Sequence, residues 1–75
     1  MNDYRNIQKF GRRLADLRQR SGKTQREVAA ALDVTPQAVS KWERGLSCPD
    51  VLMLSDLASA LGVTIANLFE ANAAE

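Results

Sequence analysis

An all-α fold, five helices around one core, is what this chain predicts, and three observations carry it. Apolar residues recur at three- and four-residue steps along most of the sequence. Good N-capping residues stand ahead of the periodic segments, and glycines stand behind several of them. No segment alternates apolar and polar residues over the roughly four to eight positions of a half-buried strand.

The elements follow in order. Ile7, Phe10, Leu14 and Leu17 define a first helix over about 6–20, with Gly22 as its stop. The stretch "TQRE", residues 24–27, is a capping box. In it the Thr24 hydroxyl accepts from the Glu27 N–H, and the Glu27 carboxylate reaches back to the cap. It opens a helix over 25–32 that turns Val28, Ala29 and Leu32 inward. In "LDVT", Asp33 stands where the chain must turn sharply through positive φ. Thr35 caps a third helix over 36–44, Pro36 sits in its first turn at no cost in hydrogen bonds, and Gly45 ends it. After the loop "LSCPD", Asp50 caps a fourth helix over 51–61, with Val51, Leu54, Leu57, Ala58 and Leu61 inward and Gly62 as its stop. Thr64 caps a fifth, over 65–70, bearing Ile65, Leu68 and Phe69. Residues 71–75 have little to bury and are expected to fray. With no internal linker or repeat, 1–75 reads as a single domain.

Composition excludes several function classes. Apolar residues make up 45% and charged residues 25%, values of a globular chain. One cysteine (Cys48) and no histidine leave no disulfide framework and no expected metal site. No apolar run approaches the roughly twenty residues of a membrane-spanning helix. "MNDYRNIQKF" shows no signal-peptide pattern, so a reduced, cytoplasmic setting is the expectation. Without histidine, a Gly-rich phosphate cradle or carboxylates paired in a pocket, no catalytic machinery and no cofactor are expected. Charge is distributed unevenly. All ten Lys and Arg residues lie before Gly45, against five of the nine acids, so that part carries +5 and the remainder −4. A front half that faces a polyanion explains this, and so do arginines on solvated helix faces.

The second and third helices are joined by about three residues, and Ala29 opposite Val39 permits a close crossing. Two short capped helices across a tight turn make a helix-turn-helix. In that motif the second helix enters the DNA major groove and its N-terminal residues reach base edges. The first lies across the backbone with its amide-rich N-terminus near phosphate. In "TPQAVSKWERG", Gln37, Ser40, Lys41 and Arg44 share one stripe that contains no acid, while Val39 and Trp42 lie opposite. On that side Trp42 reads as a core residue, not as a platform for stacking bases.

At this point "TQREVAAALDVTPQAVSKWERG…P…LASALGV" resembles the lambda-repressor/Cro-like, or Xre-type, family of bacterial and phage regulators. The resemblance runs over about residues 14–69. It implies a phosphate contact for Gln25, with Lys23, Thr24 and Arg26 beside it. It places Thr35, Pro36, Gln37, Ser40 and Lys41 on the base-reading face and Arg44 near the flanking backbone. Gln37 can pair with adenine N6/N7 and Lys41 can donate to guanine O6/N7, each worth roughly 1–3 kcal/mol of discrimination. Its register also pairs Arg18 with Glu43 as a largely buried ion pair. Two departures stand out. The loop "LSCPD" lacks the basic residues many relatives carry, leaving the backbone N–H groups of Leu46 and Ser47 for phosphate, and Asp33 replaces the frequent turn glycine.

The implied function is sequence-specific regulation of transcription on double-stranded DNA, as a repressor. A homodimer on a near-palindromic operator in bacterial or phage-infected cytoplasm, associated with the nucleoid, is the expected mode. Ile65, Leu68 and Phe69 either form the dimer contact or close the core. The alternatives are an antitoxin-type interaction module that also binds DNA, and the DNA-binding part of a longer regulator.

Overall fold

The computed structural model describes residues 3–69. Over these the chain forms α1 (Asp3–Arg20), α2 (Gln25–Leu32), α3 (Pro36–Glu43), α4 (Leu54–Leu61) and α5 (Ile65–Phe69). A 3₁₀ turn, Val51–Met53, precedes α4, and no strand occurs among the described residues. Each helix contributes its apolar stripe to one core: Leu14 and Leu17 from α1, Val28 and Ala29 from α2, Val39 and Trp42 from α3, Leu57, Ala58 and Leu61 from α4, and Leu68 from α5. The helix α1 packs on α3 and α5, while α2 packs on α3 and α4.

Helix starts are set by side chains close in sequence. Thr24 and Glu27 close the capping box of α2, with Glu27 N–H to Thr24 Oγ1 at 3.0 Å and Thr24 N–H to Glu27 Oε1 at 2.8 Å. Thr64 and Asn67 make the same reciprocal pair ahead of α5, at 3.1 and 3.2 Å. Helix ends use a shared geometry, in which the two residues after the helix donate back to carbonyls of its last turn. After α2 these donors are Asp33 and Val34, bonded to Ala30 and Ala29. Asp33 sits at φ 59°, ψ 43°, the left-handed conformation its position in the sequence demands. After α3, one residue further on, beyond Arg44, they are Gly45 and Leu46, bonded to Trp42 and Lys41.

One contact places the end of α3. A Cβ built on Gly11, midway along α1, would lie 2.4 Å from the Trp42 carbonyl oxygen and 2.7 Å from that of Glu43. Only a bare backbone lets α1 approach the last turn of α3 this closely.

Several elements depart from the sequence expectation. Helix α1 begins at Asp3, three residues before the expected start at about residue 6. Arg44 caps α3 from outside the helix. The predicted fourth helix is a 3₁₀ turn followed by α4, because Asp50 Oδ1 accepts from Leu52 N–H at 3.3 Å and fixes a tight first turn. Val51 is not inward. It is 70% exposed, on the rim of an open apolar groove that it lines with Ile7, Phe10, Leu54 and Phe69. The three apolar residues of α5 do not act as one face: Leu68 is wholly buried, whereas Ile65 and Phe69 are 45% and 58% exposed. Leu68 therefore closes the core and is withdrawn from any contact with a second copy. Phe69 leans on Phe10, with ring centroids 5.3 Å apart. Glu70 and the tail 71–75 lie outside the described residues.

The Gly11 contact generates a stability prediction. Gly11→Ala should lower unfolding stability by about 1–3 kcal/mol, as overpacking does, despite the better helix propensity of alanine. Urea denaturation measures this, and a midpoint equal to or above wild type would contradict so close a crossing.

Candidate nucleic-acid interface

The surface in question is built from the start of α2 and the outer face of α3. Thr35 caps α3 by accepting the Ala38 N–H at 3.1 Å, and Pro36 follows at the first helical position. This cap brings the exposed Thr35, Pro36 and Gln37 to the free end of the helix. Lys41 and Arg44 continue the exposed stripe, with Ser40 half-buried between them. The opposite face is anchored, since Val39 and Trp42 are both buried. At the start of α2, Lys23, Thr24 and Arg26 are exposed and Gln25 is half-buried. The first backbone N–H groups of a helix have no partner within it, so this end offers donors to an anion.

The only acid on α3 is turned away from that stripe. Glu43 Oε2 accepts from Arg18 Nε at 2.6 Å, and Oε1 accepts from an Arg18 terminal nitrogen at 3.1 Å. These side chains are 15% and 7% exposed, so the pair is shielded from water. The other terminal nitrogen of Arg18 donates to the Lys23 carbonyl at 2.9 Å. Gln25 Nε2 donates to Glu43 Oε1 at 2.9 Å. One carboxylate thus gathers the end of α1, the start of α2 and the end of α3.

These bonds change what several side chains have left to offer. Gln25 has spent one amide hydrogen on Glu43, which leaves the other, with its backbone N–H, for phosphate. The Thr24 backbone N–H is taken by Glu27, so only its hydroxyl hydrogen is free to donate. Leu46 is corrected outright: its N–H closes the end of α3 on the Lys41 carbonyl at 2.9 Å and cannot serve a phosphate. Ser47, half-buried beside it, has no such bond among those of the described backbone. Ser40 Oγ accepts from Arg44 Nε at 3.2 Å, tying a residue expected to read bases to one expected to hold phosphate.

Two contributors were missed by sequence reasoning. The Gln25–Glu43 bond joins residues 18 apart that no local pattern relates. Gly11 did leave a signal, because it lies one turn before Leu14 on the core side of α1, where a glycine is otherwise costly. Among the described residues, no three His, Cys, Asp or Glu side chains gather as a metal site. No described helix is long and apolar enough to cross a membrane.

A family model described as helix-turn-helix matches residues 14–68, most of the chain and all of this surface. The chain belongs to the helix-turn-helix family, in its lambda-repressor/Cro-like, Xre-type form. Over 54 residues it is 44% identical to an HTH-type transcriptional regulator of Sinorhizobium fredii, covering 72% of this chain and 70% of that protein. It is 48% identical over 44 residues to the 26 kDa repressor protein of Escherichia phage HK022, covering 59% of this chain but only 19% of the repressor. The restriction-modification controller protein C.AhdI from Aeromonas hydrophila is similar in structure. Its TM-score is 0.86 at 30% identity, over 92% of this chain and 100% of that one. The same helical arrangement also occurs inside an enzyme. Hydroxypropylphosphonic acid epoxidase from S. wedmorenis matches with a TM-score of 0.78 at 27% identity, over 87% of this chain and 35% of the enzyme.

In this helix-turn-helix protein α2 and α3 are the two helices of the motif, and residues 33–35 are its turn. The carboxylate of Glu43 sits behind α3, where its loss would strand the Arg18 charge. Glu43→Ala or Arg18→Ala should each cost about 3 kcal/mol, the low end of the range for breaking a fully buried pair, because both side chains keep some exposure. Urea unfolding of both variants checks this, and losses below about 1 kcal/mol would place the pair with ordinary surface bridges.

Proposed function

We propose that this chain binds double-stranded DNA sequence-specifically and regulates transcription as a repressor, with α3 in the major groove. The observation that carries the reading is the division of α3 into two faces. Val39, Trp42 and Glu43 are held by the rest of the fold, while Gln37, Lys41 and Arg44 stand exposed on a stripe without an acid. In this reading Gln37 and Lys41 address base edges, and the Thr35 methyl and Pro36 ring lie against a thymine methyl. Lys23, Gln25, Arg26 and Arg44 hold phosphates, with Thr24 and Ser47 as minor donors. It is a binding function with no reaction of its own, at work on bacterial or phage DNA in the cytoplasm.

A domain this small covers about one half-site, so two copies on a near-palindromic operator complete the assembly. The exposed Ile65 and Phe69 of α5 supply the contact between them in this proposal.

Selection of binding sites from random duplexes, followed by titration at two salt concentrations, tests the function directly. A consensus should emerge, and recovery of none, with weak binding indifferent to salt, would overturn the reading. Gln37→Ala should relax preference at one operator position. Arg44→Ala should weaken all duplexes alike and flatten the dependence of log K on log salt by roughly one unit. Identical behaviour of the two variants would remove the distinction between reading and gripping residues. For the dimer, sedimentation at rising concentration should show association that Ile65→Asp abolishes without changing the melting temperature. A wild-type chain that stays monomeric throughout would rule out a preformed dimer through α5.

A further inference from the structure

We infer that Ser40 is a positioning residue for Arg44, and does not itself read a base. The inference rests on the DNA-binding reading above and assigns Ser40 a different part in it. Arg44 Nε lies 3.2 Å from Ser40 Oγ and 3.4 Å from the Ser40 carbonyl oxygen, so the inner edge of the guanidinium is held one turn back along α3. The two terminal nitrogens make no hydrogen bond to the described residues and remain open to solvent. Ser40 is half-buried behind this side chain while Arg44 is exposed, which puts the hydroxyl on the inner side of the contact.

The chemistry of the pair follows from that order. A guanidinium is a planar fork that grips two oxygens of one phosphate when its terminal nitrogens are free and its orientation is set. Arg44 stands just past the end of α3, where its long stem would otherwise sample many rotamers. An arginine already held loses less freedom on meeting phosphate than one that is not. The Ser40 hydroxyl, the nearer of the two acceptors, supplies that restraint together with the Ser40 carbonyl, leaving the positive charge uncompensated. A carboxylate in the same place would hold the side chain equally well, but it would cancel the charge and repel the backbone it must approach. Ser40 and Arg44 are one turn apart and share the stripe with Gln37 and Lys41, so the restraint aims the fork toward the side that faces DNA.

A double-mutant cycle on the full chain, with the selected duplex and several unrelated ones as probes, tests this. Ser40→Ala should weaken binding to every duplex by about three- to tenfold, the value of one ordinary hydrogen bond. It should leave base preference and the salt slope unchanged, because the Arg44 charge remains. In an Arg44→Ala background the same substitution should have no further effect. Ser40→Thr, which keeps the hydroxyl, should bind as wild type, and melting temperatures confirm that each variant is folded. The inference alone is overturned if Ser40→Ala shifts preference at one operator position, or costs the same with and without Arg44. A wild-type chain that selects no consensus overturns the DNA-binding reading, and this inference with it.

Discussion

The carboxylate of Glu43 is the point on which the arrangement of the first three helices depends. A negative charge at a helix C-terminus faces the negative end of the helix dipole and is unfavourable there by itself. Arg18 reverses that balance with two hydrogen bonds, and Gln25 adds a third. Because Arg18 also binds the Lys23 carbonyl, the guanidinium ties the connection between α1 and α2 to the end of α3. A buried ion pair is often no more stabilising than well-packed apolar residues of the same shape. What this one supplies is direction, since an apolar cluster would tolerate a range of helix angles that a planar fork on a carboxylate does not. It also draws the one acid of α3 behind the helix, away from the stripe that carries Gln37, Lys41 and Arg44.

The second constraint acts on the same end of α3. Gly11 lets the backbone of α1 come against the Trp42 and Glu43 carbonyls, and Gly45 passes close to Gln8 as the chain leaves the helix. Trp42, on the same turn, is buried in the core. The C-terminal turn of α3 is therefore held by an ion pair, a glycine crossing and a buried indole. Its N-terminal turn is held on its inner side by the buried Val39 and the partly buried Ala38, while the outer side at Pro36 and Gln37 has only the Thr35 cap behind it. A helix fixed at its base with an exposed tip is the form required of a probe, because contacts made at the tip then need no reorganisation behind it.

How much of this was legible in the sequence depended on how local the cause was. Caps at Thr24, Thr35 and Thr64 are decided by residues three positions away, and the left-handed Asp33 by the shortness of its turn, so both could be read directly. The inward apolar positions of α2 and α3 followed from helical period. Period fails where it meets an edge: Val51 does share a side with Leu54, but at Val51 that side opens on a groove that no described residue fills. The same holds for α5, five residues long, in which only Leu68 reaches the core. Contacts that depend on the crossing of distant segments left faint traces or none. Gly11 was visible only as an unexplained glycine, and the Gln25–Glu43 bond not at all.

The hydrogen bonds at the end of α3 also bear on how such a surface would hold DNA. The loop over residues 46–50 carries no Lys or Arg, and the N–H of Leu46 is spent on closing α3. In the proposed mode the phosphate grip falls to the side chains of Lys23, Arg26 and Arg44, helped by the backbone donors at the start of α2. Each cationic contact that is absent removes about 0.9 from the slope of log affinity against log salt, and removes affinity that is indifferent to sequence. A surface with few such contacts binds all DNA less tightly, while the base-edge contacts proposed for Gln37 and Lys41 would keep their value. Discrimination between sequences then makes up a larger share of the total binding energy. That puts a premium on the rigidity behind α3, because a tip that wavered would forfeit the share that distinguishes one sequence from another.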